Sequence, residues 1–136
     1  VPKFGKRSRQ NLATAHDSLQ LLFNEVIKYV DCSVLEGHRT RERQDQLFHE
    51  GKSKVKFPKG RHNKTPSLAV DVVPYPVDWG DRERQTLFAG FVLGIARILD
   101  IDIRWGGDWD MDFEVNDNKF DDFPHFELNN GRKHYH

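Results

Sequence analysis

Apolar residues recur at three- and four-residue intervals through Leu12, Leu19, Leu22, Phe23, Val26, Ile27 and Val30, the spacing of an amphipathic helix laid on a core. The pattern predicts a helix from residue 8 to about residue 30, opened by Ser8 as N-cap and interrupted or bent near His16-Asp17, with His16 a cap or surface residue. Cys32 to Arg39 reads as a short strand running into a turn. Thr40 then caps a helix through about Glu50, with Leu47 and Phe48 inward and Gly51 at its end. Lys52 to Lys64, punctuated by Lys, Gly and Pro, predicts a loop. The unbroken apolar run Leu68 to Val73 predicts a core strand, stopped by Pro74 and Pro76. Asp78-Trp79-Gly80-Asp81 turns the chain into the clearest helix, residues 82 to 99, whose expected apolar face carries Leu87, Phe88, Phe91, Val92, Ile95, Ile98 and Leu99. Ile101 to Trp105 and Pro124 to Leu128 alternate as strands, the second with His125 and Glu127 on one face and Phe126 and Leu128 on the other. Asn129 to His136 is a polar tail.

A chain of 136 residues fits one domain, residues 1–136, and buries roughly two-thirds of its unfolded surface. No run approaches the ~20 apolar residues of a membrane helix, and Val1 to Gly5 lacks the apolar core of a signal peptide, so the expectation is a soluble monomer made in a cytoplasm. The single cysteine, Cys32, excludes an intramolecular disulfide and a thiolate zinc cluster; it reads as a small buried residue at a strand start. Net charge is zero but unevenly spread. Residues 1–64 hold 14 Lys and Arg against 7 Asp and Glu, and residues 65–136 hold 7 against 14. Such a basic half can face a polyanion, yet the basic residues are scattered without an aromatic platform or recognition helix, which argues against nucleic acid.

Alternation puts Ala69, Asp71 and Val73 on one face of the core strand, and an Asp in such a run is costly to bury unless it is paired or bound to a cation. His62, in a turn-rich segment, and His125, on the last strand, complete a His, Asp, His set. Zinc commonly takes three such ligands in catalytic sites and leaves a fourth position for a water whose pKa falls to about 7. Asp122, three residues before His125, can accept that water's proton, and Glu127 can orient the His125 imidazole. Taken singly, each has a plainer reading: a surface His, a strand-end Asp. Arg39 closes a strand before a helix, where a guanidinium can polarise a carbonyl or grip a carboxylate, or simply face solvent. Gln44 can reach the same cleft from the helix, whereas His38 is expected to be structural. Between Asp108 and Asp122 seven acidic residues face one lysine. Asp108, Asp110 and Asp112 imitate the opening of an EF-hand, but Phe113 stands where that loop needs Gly and Lys119 where it needs a bidentate Glu. A standard EF-hand is excluded; an irregular Ca2+ site or a solvated acidic loop is left. His134 and His136 lie in a fraying terminus, a poor place for ligands.

The blocks Phe4-Gly5-Lys6-Arg7-Ser8, Leu35-Glu36-Gly37-His38-Arg39-Thr40, Arg43-Gln44, Ala69-Val70-Asp71, Trp105-Gly106-Gly107-Asp108-Trp109 and Pro124-His125-Phe126-Glu127-Leu128 resemble, in order, those of the L-alanyl-D-glutamate endopeptidases. These are zinc peptidases of the Hedgehog/DD-peptidase fold, related to D-alanyl-D-alanine carboxypeptidases and often phage endolysins. The chain departs from them in having Gly60 two residues before His62, where Ser is frequent, and in a longer His62-to-Asp71 loop through Thr65-Pro66-Ser67. The resemblance implies an α+β domain with a small, mainly antiparallel sheet flanked by helices, Zn2+ on His62, Asp71 and His125, Asp122 as general base, and Arg39 facing the site. It implies hydrolysis of the L-Ala to D-Glu bond in peptidoglycan stem peptides, by an enzyme held in a host cytoplasm until a partner's membrane pore admits it to the wall. The basic half would then meet wall carboxylates and phosphates. Two other readings are a D-alanyl-D-alanine carboxypeptidase using the same site, and a metal-stabilised wall-binding module without turnover; an acidic residue at 122 argues against the second.

Overall fold

The structure is a computed structural model that describes residues 1–116 and 121–129; Asp117 and Lys119 of the acidic loop, and His134 and His136 of the tail, lie outside the described residues. Four strands, β1 (Cys32–Glu36), β2 (Ala69–Pro74), β3 (Ile103–Trp105) and β4 (His125–Leu128), form one antiparallel sheet in the order β1-β2-β4-β3. The helices are α1 (Lys6–Ala13), α2 (Asp17–Val26), α3 (Arg41–His49) and α4 (Arg82–Ile98). This is the expected α+β architecture.

Each strand divides its residues between two faces. One face, with Val34, Val70, Val72, Phe126, Leu128 and Ile103, joins the core that α2 and α4 complete. At its centre the fully buried Phe126 ring meets Phe23 and Phe88 edge-on, at centroid distances of 5.5 and 6.2 Å. Emptying that position by Phe126→Ala costs about 3–5 kcal/mol. The opposite face carries Asp71, His125 and Glu127, with Arg104 beside Glu127 in the register. β1 joins this face through a bulge: Val34 pairs Val72 and Glu36 pairs Asp71, so Leu35 is an extra residue. Were Leu35 paired as in a regular strand, Glu36 would share the core face of Val34; with the bulge, Glu36 turns toward Asp71.

The first helical stretch is two helices. Thr14 to His16 leaves the helix because Ser67 N–H donates to Thr14 O and His16 N–H to Ser67 O, a short bridge that a continuous helix would forbid. His16 Nδ1 accepts the Ser18 N–H and caps α2. Ser8 is not the N-cap: α1 begins at Lys6 after Gly5, and buried Ser8 Oγ accepts the Val34 N–H across the sheet edge. Thr40 caps α3 by accepting the Arg43 N–H, and Gly51, at φ +73°, follows its end. Along α4 the buried line is Gln85, Phe88, Ala89, Val92 and Ala96, whereas Leu87 and Ile98 are 77 % and 80 % exposed. Ala89 is fully buried on this line, whereas Ala96 borders a cavity of about 280 Å³ together with Leu93, Ile101 and Trp105. Cys32 is buried, and burial pushes its thiol up to about 12.

Candidate metal centre

His62 stands on a single 3-10 turn, Arg61–Asn63, that backbone bonds hold at both sides. Arg39 N–H donates to His62 O at 2.8 Å and Leu68 N–H to Arg61 O at 3.1 Å. Asn63, buried beside it, accepts the Gly60 N–H and donates to Arg39 O and Gln44 Oε1. The His62 ring bonds Gly37 O through Nδ1 at 2.7 Å; a carbonyl only accepts, so Nδ1 carries the proton and Nε2 turns inward with its lone pair. Gly37 must be glycine for this approach, because a Cβ would sit 2.3 Å from Asn11 O and Thr14 Oγ1.

Asp71 and His125 are register partners on β2 and β4, and Glu127 follows His125 on the same face. Glu127 Oε1 lies 2.8 Å from His125 Nε2, which places that ring's proton on Nε2 and its lone pair on Nδ1. Glu127 is 2 % exposed. Burial would raise its pKa, but His125, Arg104 and Arg61 together hold it below the ordinary value. Arg104 Nη2 and Arg61 Nε are 3.0 and 3.6 Å from its other oxygen, and Arg61 also donates to Leu128 O.

His62 Nε2, Asp71 Oδ1 and His125 Nδ1 thus converge: 3.1 Å between His62 and Asp71, 3.3 Å between the two imidazoles, and 3.4 Å between His125 and Asp71. All three residues are buried. With both imidazole protons committed outward, three electron pairs face one another, an arrangement that calls for a cation. Donors about 2.0–2.1 Å from a tetrahedral zinc are about 3.3 Å apart, so the triangle has the size of one face of that polyhedron. Without an ion, a proton is drawn into the triangle in its place. Burial opposes charge on His125, yet hydrogen bonds to Asp71 and Glu127 overcome it and push its pKa up to about 9. Burial likewise opposes ionisation of Asp71, but His62 and His125 hold it well below the usual carboxylate range.

The second Asp71 oxygen is 3.0 Å from Arg39 Nη2, and Arg39 Nε is 2.9 Å from Glu36 Oε1, so the guanidinium fixes the carboxylate from behind. Gln44 is buried against Arg39, 3.5 Å from Nη1, and donates to Ser53 Oγ and Val55 O, tying α3 to the following loop. His38 is structural: its N–H donates to Thr14 Oγ1 and its ring bonds Lys64 O. Asp122 Oδ2 lies 3.9 Å from His125 Nδ1 with the side chain one-third exposed. Burial and the charge of Asp71 raise its pKa, against the pull of His125, Arg39 and His62. Asp122 N–H donates to Gly106 O and Gly106 N–H to His125 O, both at 2.8 Å. A Cβ on Gly106 would lie 2.1 Å from Asp122 O. Trp109 walls the other side, its ring 5.4 Å from that of His125 and under the Arg104 guanidinium at 4.9 Å.

The supports Gly37, Asn63, Arg61 and Arg104 were not singled out from the sequence. Arg104 had a signal, since it alternates with inward Ile103 and Trp105; Gly37 had none, because its need arises from a helix distant in sequence.

Residues 1–129 match the family described as phage L-alanyl-D-glutamate peptidase. The chain is 29 % identical over 120 residues to the L-alanyl-D-glutamate peptidase of Escherichia phage T5, covering 85 % of this chain and 87 % of that protein. Its structure is similar to the crystal structure of the Serratia marcescens L-Ala D-Glu endopeptidase ChiX, with a TM-score of 0.74 and 31 % identity over 93 % of this chain and 90 % of the other. With a buried His, Asp, His triangle in a fold shared with such an endopeptidase, the chain belongs to the phage L-alanyl-D-glutamate peptidase family.

Proposed function

We propose that the chain is a zinc peptidase that hydrolyses the L-Ala to D-Glu amide of peptidoglycan stem peptides, with His62 Nε2, Asp71 Oδ1 and His125 Nδ1 holding the ion and Asp122 as general base. The observation that carries the metal assignment is the triangle of converging acceptors whose imidazole protons are both engaged elsewhere. When bound, zinc supplies Lewis acidity that polarises a carbonyl and acidifies a water. The chain's residues do the rest. Asp122, beside His125 and open to solvent, takes the proton of the attacking water and returns it to the leaving amine. Arg39 locks the orientation of Asp71 and keeps positive charge near the developing oxyanion. Glu127, fixed by Arg104 and Arg61, orients the His125 ring. Among the described residues no helix is long and apolar enough to cross a membrane; as in an endolysin, the enzyme reaches the wall once the membrane is breached.

The test is mass spectrometry of fragments released from purified peptidoglycan, with chelator and with zinc added back. Chelator-sensitive release of peptides beginning at D-Glu is expected. Loss of terminal D-Ala alone would move the enzyme to the carboxypeptidase branch, and no cleavage under any metal condition would overturn the catalytic reading.

A second cation, Ca2+, fits the Asp108, Asp110 and Asp112 cluster, whose carboxylates approach within 4.8 Å of one another. The specific observation is Asp108 Oδ1, buried without a hydrogen-bond partner among the described residues while Oδ2 accepts the Phe113 N–H. Phe113, where an EF-hand has Gly, nevertheless takes φ +68°, the left-handed turn that glycine would supply. Calcium titration into zinc-loaded protein, read by Trp fluorescence and by hydrolysis, tests this; a flat response in both leaves a solvated loop.

A further inference from the structure

Outside the metal centre, a polar groove of about 640 Å³ runs between α1 and β1, with Arg7, Ser33, Glu36, His38 and Arg43 on its walls. It adjoins the site through Glu36, whose Oε1 is 2.9 Å from Arg39 Nε and 3.2 Å from Arg43 Nε. Arg39 in turn holds Asp71 at 3.0 Å. The one carboxylate on the groove is therefore already shared by two guanidiniums, while Arg7 is exposed and Arg43 keeps 47 % of its side chain accessible. The result is an excess of positive charge beside a peptide-cleaving centre, in the half of the chain that holds 14 Lys and Arg against 7 Asp and Glu.

We propose that this groove binds a free carboxylate of the stem peptide beyond its D-Glu residue, on the leaving-group side of the scissile bond. The inference rests on the L-Ala to D-Glu reading above. On the acyl side of that bond the substrate has one alanine and then an uncharged sugar ether, which offers a cationic groove nothing. The leaving-group side carries the stem's carboxylates. The links Asp71 to Arg39 to Glu36 to Arg43, with the widths of the groups between them, put Arg43 at most on the order of 10 Å from the metal ligands, within about three residues of extended chain. That reach passes the D-Glu α-carboxylate, which adjoins the leaving nitrogen. It meets either the side-chain carboxylate of an acidic diamino acid at the third position or the C-terminal carboxylate of a short stem. A guanidinium matches a carboxylate geometrically as well as electrically, and the groove offers two, on Arg7 and Arg43.

The experiment uses the zinc-loaded full chain and four synthetic stems that carry diaminopimelate or lysine at position three, each with a free or amidated C-terminus. Cleavage of the L-Ala to D-Glu bond is followed as kcat and KM. The wild type is expected to favour one acidic form by about five- to tenfold in kcat/KM, mainly through KM. Arg7→Ala and Arg43→Ala bring that ratio toward one, Arg7→Lys retains most of it, and Arg7→Glu reverses it. Preference in the diaminopimelate pair assigns the side-chain carboxylate, and preference in the C-terminal pair assigns the terminal one. Absence of preference in both, or a preference that the Arg7 and Arg43 variants leave unchanged, overturns the proposal. If the wild type cleaves no stem at this bond, the reading of function fails instead. The groove is then judged by amide chemical shifts of residues 7, 33 and 36 on titration with the acidic and lysine peptides. Shifts with the acidic peptide alone sustain it, and equal or absent shifts overturn it.

Discussion

Asp122 meets the fold through its backbone and the site through its side chain, so substitution can separate the two. Its N–H is bound to Gly106 O and its carbonyl accepts the His125 N–H, while its carboxylate faces the metal triangle. Asp122→Asn is expected to keep zinc content and thermal midpoint while kcat falls about 10²- to 10⁴-fold, the usual range for a lost general base; stem hydrolysis with parallel metal analysis checks it. Glu127→Gln should act differently. It removes the charge that anchors the His125 Nε2–H, so zinc affinity is expected to fall about 10- to 100-fold with fold retained, measurable by competition with a chromophoric chelator. At this scale the sequence is readable where a residue contradicts its surroundings. Asp71 in the apolar run and His125 before Phe126 stand out for that reason. Gly37 and Gly106 do not, because what excludes a side chain there is backbone from another part of the chain. Ser8 misleads in the opposite sense: a hydroxyl that could cap a helix instead serves a strand.

Among the elements, α4 shows how periodicity and packing part company. The sequence places a broad stripe of large apolar residues on it, whereas the contact line runs through Phe88, Ala89, Val92 and Ala96. Leu87→Gln and Ile98→Gln are expected to change unfolding free energy by no more than about 0.5 kcal/mol. Ala89→Leu, adding volume at a position with no exposed surface, should destabilise by about 1–3 kcal/mol. Chemical denaturation of the three variants decides this. Strand existence, order of elements, the Thr40 cap and the Gly51 stop were all legible, since each depends on local chemistry. The break between α1 and α2 was legible as a disturbance near His16, but its cause, the bridge from Ala15 to Ser67, is a long-range contact.

For the molecule as a whole, the site couples proton, metal and stability. In metal-free protein the raised pKa of His125, about 9 against an ordinary 6.5, means that the folded state holds a proton the unfolded chain releases earlier. Its stabilising contribution is complete below about pH 6.5 and disappears as pH rises through about 9. Metal must displace that proton, so zinc affinity moves the other way and strengthens across the same interval. Calorimetry with chelator and with zinc should show the metal-free midpoint falling from pH 6.5 to 9 while the gap to the zinc-loaded protein widens. A gap that stays constant would mean that the ion does not compete with this proton. Fold class and family could be read from the ordered blocks along the chain; the electrostatic balance could not, because it is set by burial and by distances across the sheet.

The bulge in β1 lets the strand carry one residue more than its pairing needs. Leu35 is 40 % exposed and pairs with no residue of β2, so almost any side chain should be tolerated there. Its absence should be tolerated as well. With Leu35 removed, Glu36 would follow Val34 directly, and ordinary strand alternation would put the two on opposite faces, as the bulge does now, leaving Glu36 across from Asp71 and beside the Arg39 guanidinium. Deletion of Leu35 is therefore expected to retain hydrolysis and the melting temperature, as Leu35→Ser does, and loss of hydrolysis in the deletion alone would show that the local twist of the bulge itself aims Glu36. Among related sequences, the same reasoning makes a one-residue gap at this position a neutral difference.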